Sequence, residues 1–140
     1  MYIRWVVRKH KNAEIAAVTF HDAYLVESFR DEENNPRQRT ICYLGNIRQL
    51  GDEFPLIERE LFLLRADRIL ASVPEVSERD YPQVLAQLRQ KVPALTCDEV
   101  RTAFANNLNW YFQWWAQNGD TPSRDELLAM LDNIAAVEPM

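Results

Sequence analysis

Arg37 and Arg39 stand two residues apart in a β-prone run, Arg4 and Arg8 stand four apart in another, and Arg30 closes a third. A guanidinium group keeps its charge at all ordinary pH values and presents a planar fork of N–H donors. That fork suits phosphate oxygens and the acceptor edge of guanine. With Lys9 and Lys11 added, these residues form a candidate nucleic-acid-binding set: Arg4, Arg8, Lys9, Lys11, Arg30, Arg37 and Arg39. The chemistry they imply is polyanion recognition.

Bond-breaking chemistry has no comparable signature. His10 and His21 are 11 residues apart with no carboxylate at a diagnostic spacing, and both read as polar turn residues. Cys42 and Cys97 are isolated, with no second Cys or His at metal-ligand spacing, so neither disulfide nor zinc is indicated. Glu58 and Glu60 fall on different faces of a helix. Gly45 and Gly51 fit no phosphate loop or dinucleotide fingerprint, and no nucleophile elbow occurs. The reading is a non-enzyme without cofactor, metal or small-molecule substrate.

The elements that must carry the cations alternate with a period of two. Tyr2 to Lys9 places Ile3, Trp5 and Val7 against Arg4, Val6 and Arg8, as in a strand with one buried face. His10 to Ala13 is a polar turn. Ile15 to Phe20 either forms its own strand or runs into Tyr24 to Arg30. Asp31 to Pro36 connects that strand to a return strand, Arg37 to Leu44. In this register Arg4 with Arg8, and Arg37 with Arg39, would join Arg30 on one basic sheet face. Trp5, Val7, Leu25 and Phe29 would pack on helices from the other. The bland alternative is a solvated charged face that protects a sheet edge.

Past Gly45 the period changes to about 3.6. A first helix is expected from about Asp52 to Val73, with Pro55 in its opening turn and Ile57, Leu61 and Leu64 on one stripe. Pro74 ends it. A second begins at Ser77 or Glu78 and carries Tyr81, Val84, Leu85, Leu88 and Val92 on one face, closed by Pro93. Thr96 to Glu99 is a capping-box pattern opening a third helix, with Val100, Phe104, Leu108, Tyr111 and Trp115 as its stripe and Asn118-Gly119 as its stop. Ser123 to Glu126 opens a fourth, which carries Leu127, Leu131 and Ile134 inward. Strands followed by helices, segregated along the chain, make an α+β fold: a small antiparallel sheet of about three strands and a four-helix body. One domain over residues 1–140 is expected, its sheet part spanning 1–50 and its helical part 51–140.

The runs Leu25 to Arg30 (LVESFR) and Arg37 to Gly45 (RQRTICYLG) resemble the N-terminal segment of insertion-sequence transposases of the DDE type. The resemblance covers residues 24–46. It rests on Leu25, Val26, Glu27, Ser28, Phe29, Arg30, Arg37, Gln38, Arg39, Thr40, Ile41, Leu44 and Gly45. It implies a mobile-element origin and a role in recognising element ends, which would fall on the sheet. A family catalytic core, with its carboxylate triad on an RNase-H-like fold, needs a much longer chain. The acidic turn Asp31 to Asn35 departs from the family pattern and would weaken attraction to a phosphate backbone.

Charge is divided unevenly along the 140 residues. The net of −5 conceals residues 1–50, with eight Lys or Arg against six Asp or Glu (+2), and residues 51–140, with eight against fifteen (−7). A basic sheet on an acidic body is compatible with local polyanion binding. Hydrophobic residues at 47% and charged residues at 26% describe an ordinary globular chain. Arg4, Arg8, Lys9 and Lys11 interrupt any signal peptide, and no stretch approaches the roughly 18 apolar residues of a membrane span. A cytoplasmic protein without membrane contact is expected.

Trp110, Tyr111, Trp114 and Trp115, with Phe112 between them, spread over a sector wider than one core stripe. They either fill the interior of the helical layer or anchor a protein interface. Two function classes therefore stand at this point. One is a non-catalytic DNA-binding or accessory protein with duplex DNA as partner. The alternative is a protein-interaction module, a regulator or inhibitor in a mobile-element, plasmid or phage setting, whose partner is another protein or a second copy. A transposase-derived remnant without selected activity is the third reading.

Overall fold

Three strands come first in the computed structural model, which describes residues 1–9 and 17–136: Tyr2–Lys9 (β1), Val18–Arg30 (β2) and Pro36–Leu50 (β3). Four helices follow, Leu56–Ser72 (α1), Asp80–Lys91 (α2), Cys97–Asn118 (α3) and Arg124–Ala136 (α4). The fold is α+β, with an antiparallel sheet in the order β1-β2-β3. Lys11, the turn expected at His10 to Ala13, Ile15 and the Ile134 side chain lie outside the described residues. The chain divides into two compact units, Met1–Val100 and Arg101–Met140.

In the first unit, the inward-facing residues of the sheet meet two helices. Ala23, Leu25, Leu44 and Ile47 pack with Phe62, Ala66 and Leu70 of α1, with Val84 and Leu88 of α2, and with Val92 just beyond it. Trp5 of β1 leans on Phe62, ring centroids 5.8 Å apart, and the Lys91 ammonium covers the Trp5 ring at 4.6 Å. Gln87 of α2 ties the edge of β1: its Oε1 accepts from the Ile3 amide at 3.0 Å and its Nε2 donates to the Met1 carbonyl at 3.4 Å. That contact occupies edge groups that would otherwise invite a foreign strand.

β3 runs six residues beyond the end expected at Leu44. Asn46 to Leu50 continue the ladder opposite Asp22 to Val18, because β2 is itself one unbroken strand from Val18 to Arg30. Two bulges interrupt the β3 register, leaving Leu44 and Ile41 without opposite partners. Leu44 is fully buried and Ile41 packs against the same core, so each extra residue adds an apolar group to the interior. Gly45 makes the first bulge possible, since its φ of +115° is a conformation that side-chain-bearing residues rarely adopt.

α1 is rotated relative to the expected stripe. Phe62, Ala66 and Leu70 are buried, while Leu61 and Leu64 are about half exposed. The helix starts at Leu56, after Pro55, rather than at Asp52. α2 starts at Asp80, just after the start expected at Ser77 or Glu78, while the caps of α3 and α4 form where expected. Ser77 Oγ accepts from the Asp80 amide at 3.2 Å. The Thr96–Glu99 capping box closes in both directions, at 3.0 and 3.2 Å, and Ser123 Oγ accepts from the Glu126 amide at 3.1 Å. Arg59 of α1 then ties down the start of α3, bonding Glu99 at 2.8 Å and the Pro93 and Ala94 carbonyls.

His21 is a buried strand residue rather than a turn residue. Its Nε2 lies 2.6 Å from Gln49 Oε1, which makes it the donor and leaves Nδ1 as a buried acceptor without a partner. Burial lowers its pKa, more than the Gln49 bond raises it. The unfolded chain therefore takes up a proton first. Stability is fully present above the unfolded value of about 6.5 and is lost as pH falls through that value toward the lower folded one. Melting temperatures measured between pH 7.5 and 5 are expected to fall, and His21→Gln to flatten that fall; an identical slope in the variant would refute the assignment to His21.

Candidate nucleic-acid interface

β1 begins opposite Val26, at Tyr2, so β2 and β3 continue past it as a two-stranded ribbon. Glu27 to Arg30 pair with Arg39 to Pro36, and four residues per strand give an arm of roughly 14 Å plus its turn. The turn is built by Asp31. Its Oδ1 accepts from the Glu33 and Asn35 amides at 3.0 and 2.9 Å, and Asn34 takes the left-handed conformation at φ 64°. Asp31 also holds Arg37 at 2.9 Å, and that bond, ahead of the backbone bonds, lowers its pKa. The acidic turn is thus partly a construction element of the arm.

The arm carries Arg30, Arg37 and Arg39. Arg39 bonds Glu27 at 2.6 Å and Arg30 donates to the Asn34 carbonyl at 3.0 Å, yet the Arg37 and Arg39 side chains remain 59% and 55% exposed. Phe29, expected against helices, is 44% exposed on this arm, and Val7 is 53% exposed near the end of β1. Phe29 lies beyond Val26, the last buried residue of β2, and Val7 stands on the edge strand β1. Ser28, Phe29, Arg30, Pro36, Arg37 and Gln38 line an open cleft of about 620 Å³ at the arm.

The cations do not share one sheet face. Arg4 and Arg8 stand opposite Tyr24 and Phe20, whereas Arg37 and Arg39 stand opposite Phe29 and Glu27. Alternation along β2 puts the even-numbered and odd-numbered positions on opposite faces. The odd face is the one that turns Ala23 and Leu25 to the helices. Consistently, the Glu75 carboxylate beyond α1 adds to the field at Arg39. Spacing within each strand keeps Arg4 with Arg8 and Arg37 with Arg39; the relative phase of β1 and β3 is set by the pairing of both with β2.

On the outer face Arg8 Nε donates to Asp22 Oδ2 at 2.7 Å, and the Tyr43 hydroxyl donates to Asp22 Oδ1 at 2.7 Å. Burial alone would raise the Asp22 pKa, but the two hydrogen bonds and the Arg8 charge hold it below its ordinary value. Burial and then the Asp22 carboxylate push Tyr43 up to about 12, so it stays a donor. Arg4 lies over the Tyr24 ring at 5.3 Å, and Tyr24 meets Tyr43 at 5.1 Å. Sequence reading missed Asp22, Tyr24 and Tyr43 as members of this site. Asp22 and Tyr24 share the even-numbered alternation of β2, whereas Tyr43 joins them only through the bulged pairing of β3 with β2. Lys9 is exposed at the end of β1, opposite Thr19.

The model of the IS1634 family transposase, N-terminal domain, matches residues 8–82, more than half of the chain. The chain belongs to that family. The match takes in the whole of β2, β3 and α1, and with them Arg8, Lys9, Lys11, Arg30, Arg37 and Arg39; Arg4 lies just before it. No curated protein and no solved structure matches the chain.

No helix among the described residues is long and apolar enough to cross a membrane. No group of three or more His, Cys, Asp or Glu among them could hold a metal ion. The aromatic residues of α3 belong to the second unit. Trp110, Tyr111 and Trp114 are 61%, 46% and 49% exposed, while Trp115 is half-buried and stacked on Tyr111 at 5.3 Å.

Proposed function

We propose that this chain is a non-catalytic DNA-binding protein that recognises mobile-element DNA through its β2–β3 arm. The observation that carries the reading is the arm itself, a ribbon narrow enough for the roughly 12 Å major groove and bearing Arg30, Arg37 and Arg39. Arg30 lies on one face and Arg37 with Arg39 on the other, so donors can reach phosphates on both sides of an inserted ribbon. Binding of a labelled duplex, followed by anisotropy as salt is raised, is expected to weaken with a log–log slope of about −0.9 per phosphate neutralised. No complex at low salt would remove the reading.

A second reading, a protein contact through the second unit, is supported by the exposure of Trp110, Tyr111 and Trp114. Amphipathic aromatic rings are favoured interface anchors. On this reading sedimentation at rising concentration gives a mass above the 16.4 kDa of one chain, and Trp114→Ala restores the single-chain mass without unfolding. A constant monomer mass at all concentrations excludes self-association as the contact.

A further inference from the structure

We infer that the outer face of the sheet is a second DNA site, a stacking platform on which Tyr43 receives an unpaired base while Arg4 and Arg8 meet the adjoining phosphates. The inference rests on the DNA-binding reading and assigns it a different surface and a different form of DNA. The core draws Ala23, Leu25 and Ile47 from the opposite face, and Tyr43 remains 45% exposed. An exposed ring on an antiparallel sheet offers a π-face, which a paired base cannot use because its own faces are already stacked in the duplex. Unpaired nucleotides can use it, whatever their sequence.

The surroundings favour a nucleotide over a neutral aromatic ligand. Asp22 fixes Tyr43 and Arg8 at 2.7 Å each, so ring and guanidinium are held before any ligand arrives. Asp22 itself is only 5% exposed and is paired with Arg8, which shields its charge from an incoming phosphate. The Arg8 side chain is 56% exposed and Arg4 is exposed above the Tyr24 ring, giving two cations four residues apart along β1. Roughly 14 Å separates their positions, with the aromatic pair inward of that strand.

The test compares a labelled oligothymidylate with a labelled blunt duplex, bound by the whole chain and by Tyr43→Ala and Tyr43→Phe. Both variants lose the bond to Asp22, but only the alanine loses the ring, so the phenylalanine variant separates stacking from support of the network. Tyr43→Ala is expected to weaken oligothymidylate binding roughly 5- to 100-fold while duplex binding is kept, and Tyr43→Phe to retain most of the affinity. Equal binding of oligothymidylate by wild type and a folded Tyr43→Ala overturns the inference, as does duplex binding with no single-strand binding. Single-strand binding that depends on Tyr43, without duplex binding, supports the platform and overturns the arm. Loss of both ligands by the wild type overturns both.

Discussion

Arg37→Ala combined with Arg39→Ala is expected to weaken duplex binding roughly 10- to 100-fold at low salt and to make the log–log salt slope shallower by about 2. Both side chains stand on the two-stranded arm, beyond the end of β1, where a groove can enclose them. In the free protein they pair with Asp31 and Glu27. Such pairs at the surface contribute little net stability, so exchanging a carboxylate for a phosphate costs little. Their removal also leaves the Glu27 carboxylate without its cation, facing the phosphate backbone. Equilibrium anisotropy at several salt concentrations separates the two effects: lost phosphate contacts change the slope, whereas a damaged fold changes affinity without that signature. An unchanged slope with unchanged affinity would show that the arm does not touch DNA.

Phe62→Ala is expected to destabilise the first unit by about 3–5 kcal/mol, a loss of two to three decades or more in its folding equilibrium. Phe62 is 1% exposed and is the largest fully buried side chain among the described residues, in contact with Trp5 and central to the packing of α1 on the sheet. Alanine leaves a cavity between two rigid layers, which cannot collapse to refill it. Urea unfolding checks this through a lower midpoint. Leu64→Ala is the comparison. Leu64 is 50% exposed, so its truncation is expected to cost less than about 1 kcal/mol. Equal losses for the two variants would show that Phe62 is not the side of α1 that packs on the sheet.

Those two residues also show how far spacing carries. Ile57, Leu61 and Leu64 form as good a helical stripe as Phe62, Ala66 and Leu70, and α1 contains both. Which stripe turns inward depends on the surface it meets: the bulged Leu44 and Ile41 of β3 supply apolar groups that Phe62 and Ala66 can pack against. Local signals were more reliable where the partner is a neighbour in sequence. The caps at Thr96 and Ser123, and the turn after Asn118, each close within a few residues. The early end assigned to β3 has the opposite cause. Gly45 resembles a stop in isolation, but the continuing strand β2 turns it into a bulge.

Three strands, four helices, their segregation into an α+β fold, the charged hairpin and its likeness to transposase N-terminal segments are all legible in the residues alone. These follow from periodicity, capping and residue identity, all of which act within a few residues. The folded sheet is needed to see that Arg4 and Arg8 stand on one face and Arg37 and Arg39 on the other, and that Tyr43 and Asp22 join the first pair. Strand register is a pairing between distant segments, and side chains alternate with a period of two. The register against β2 therefore determines which cations can act together.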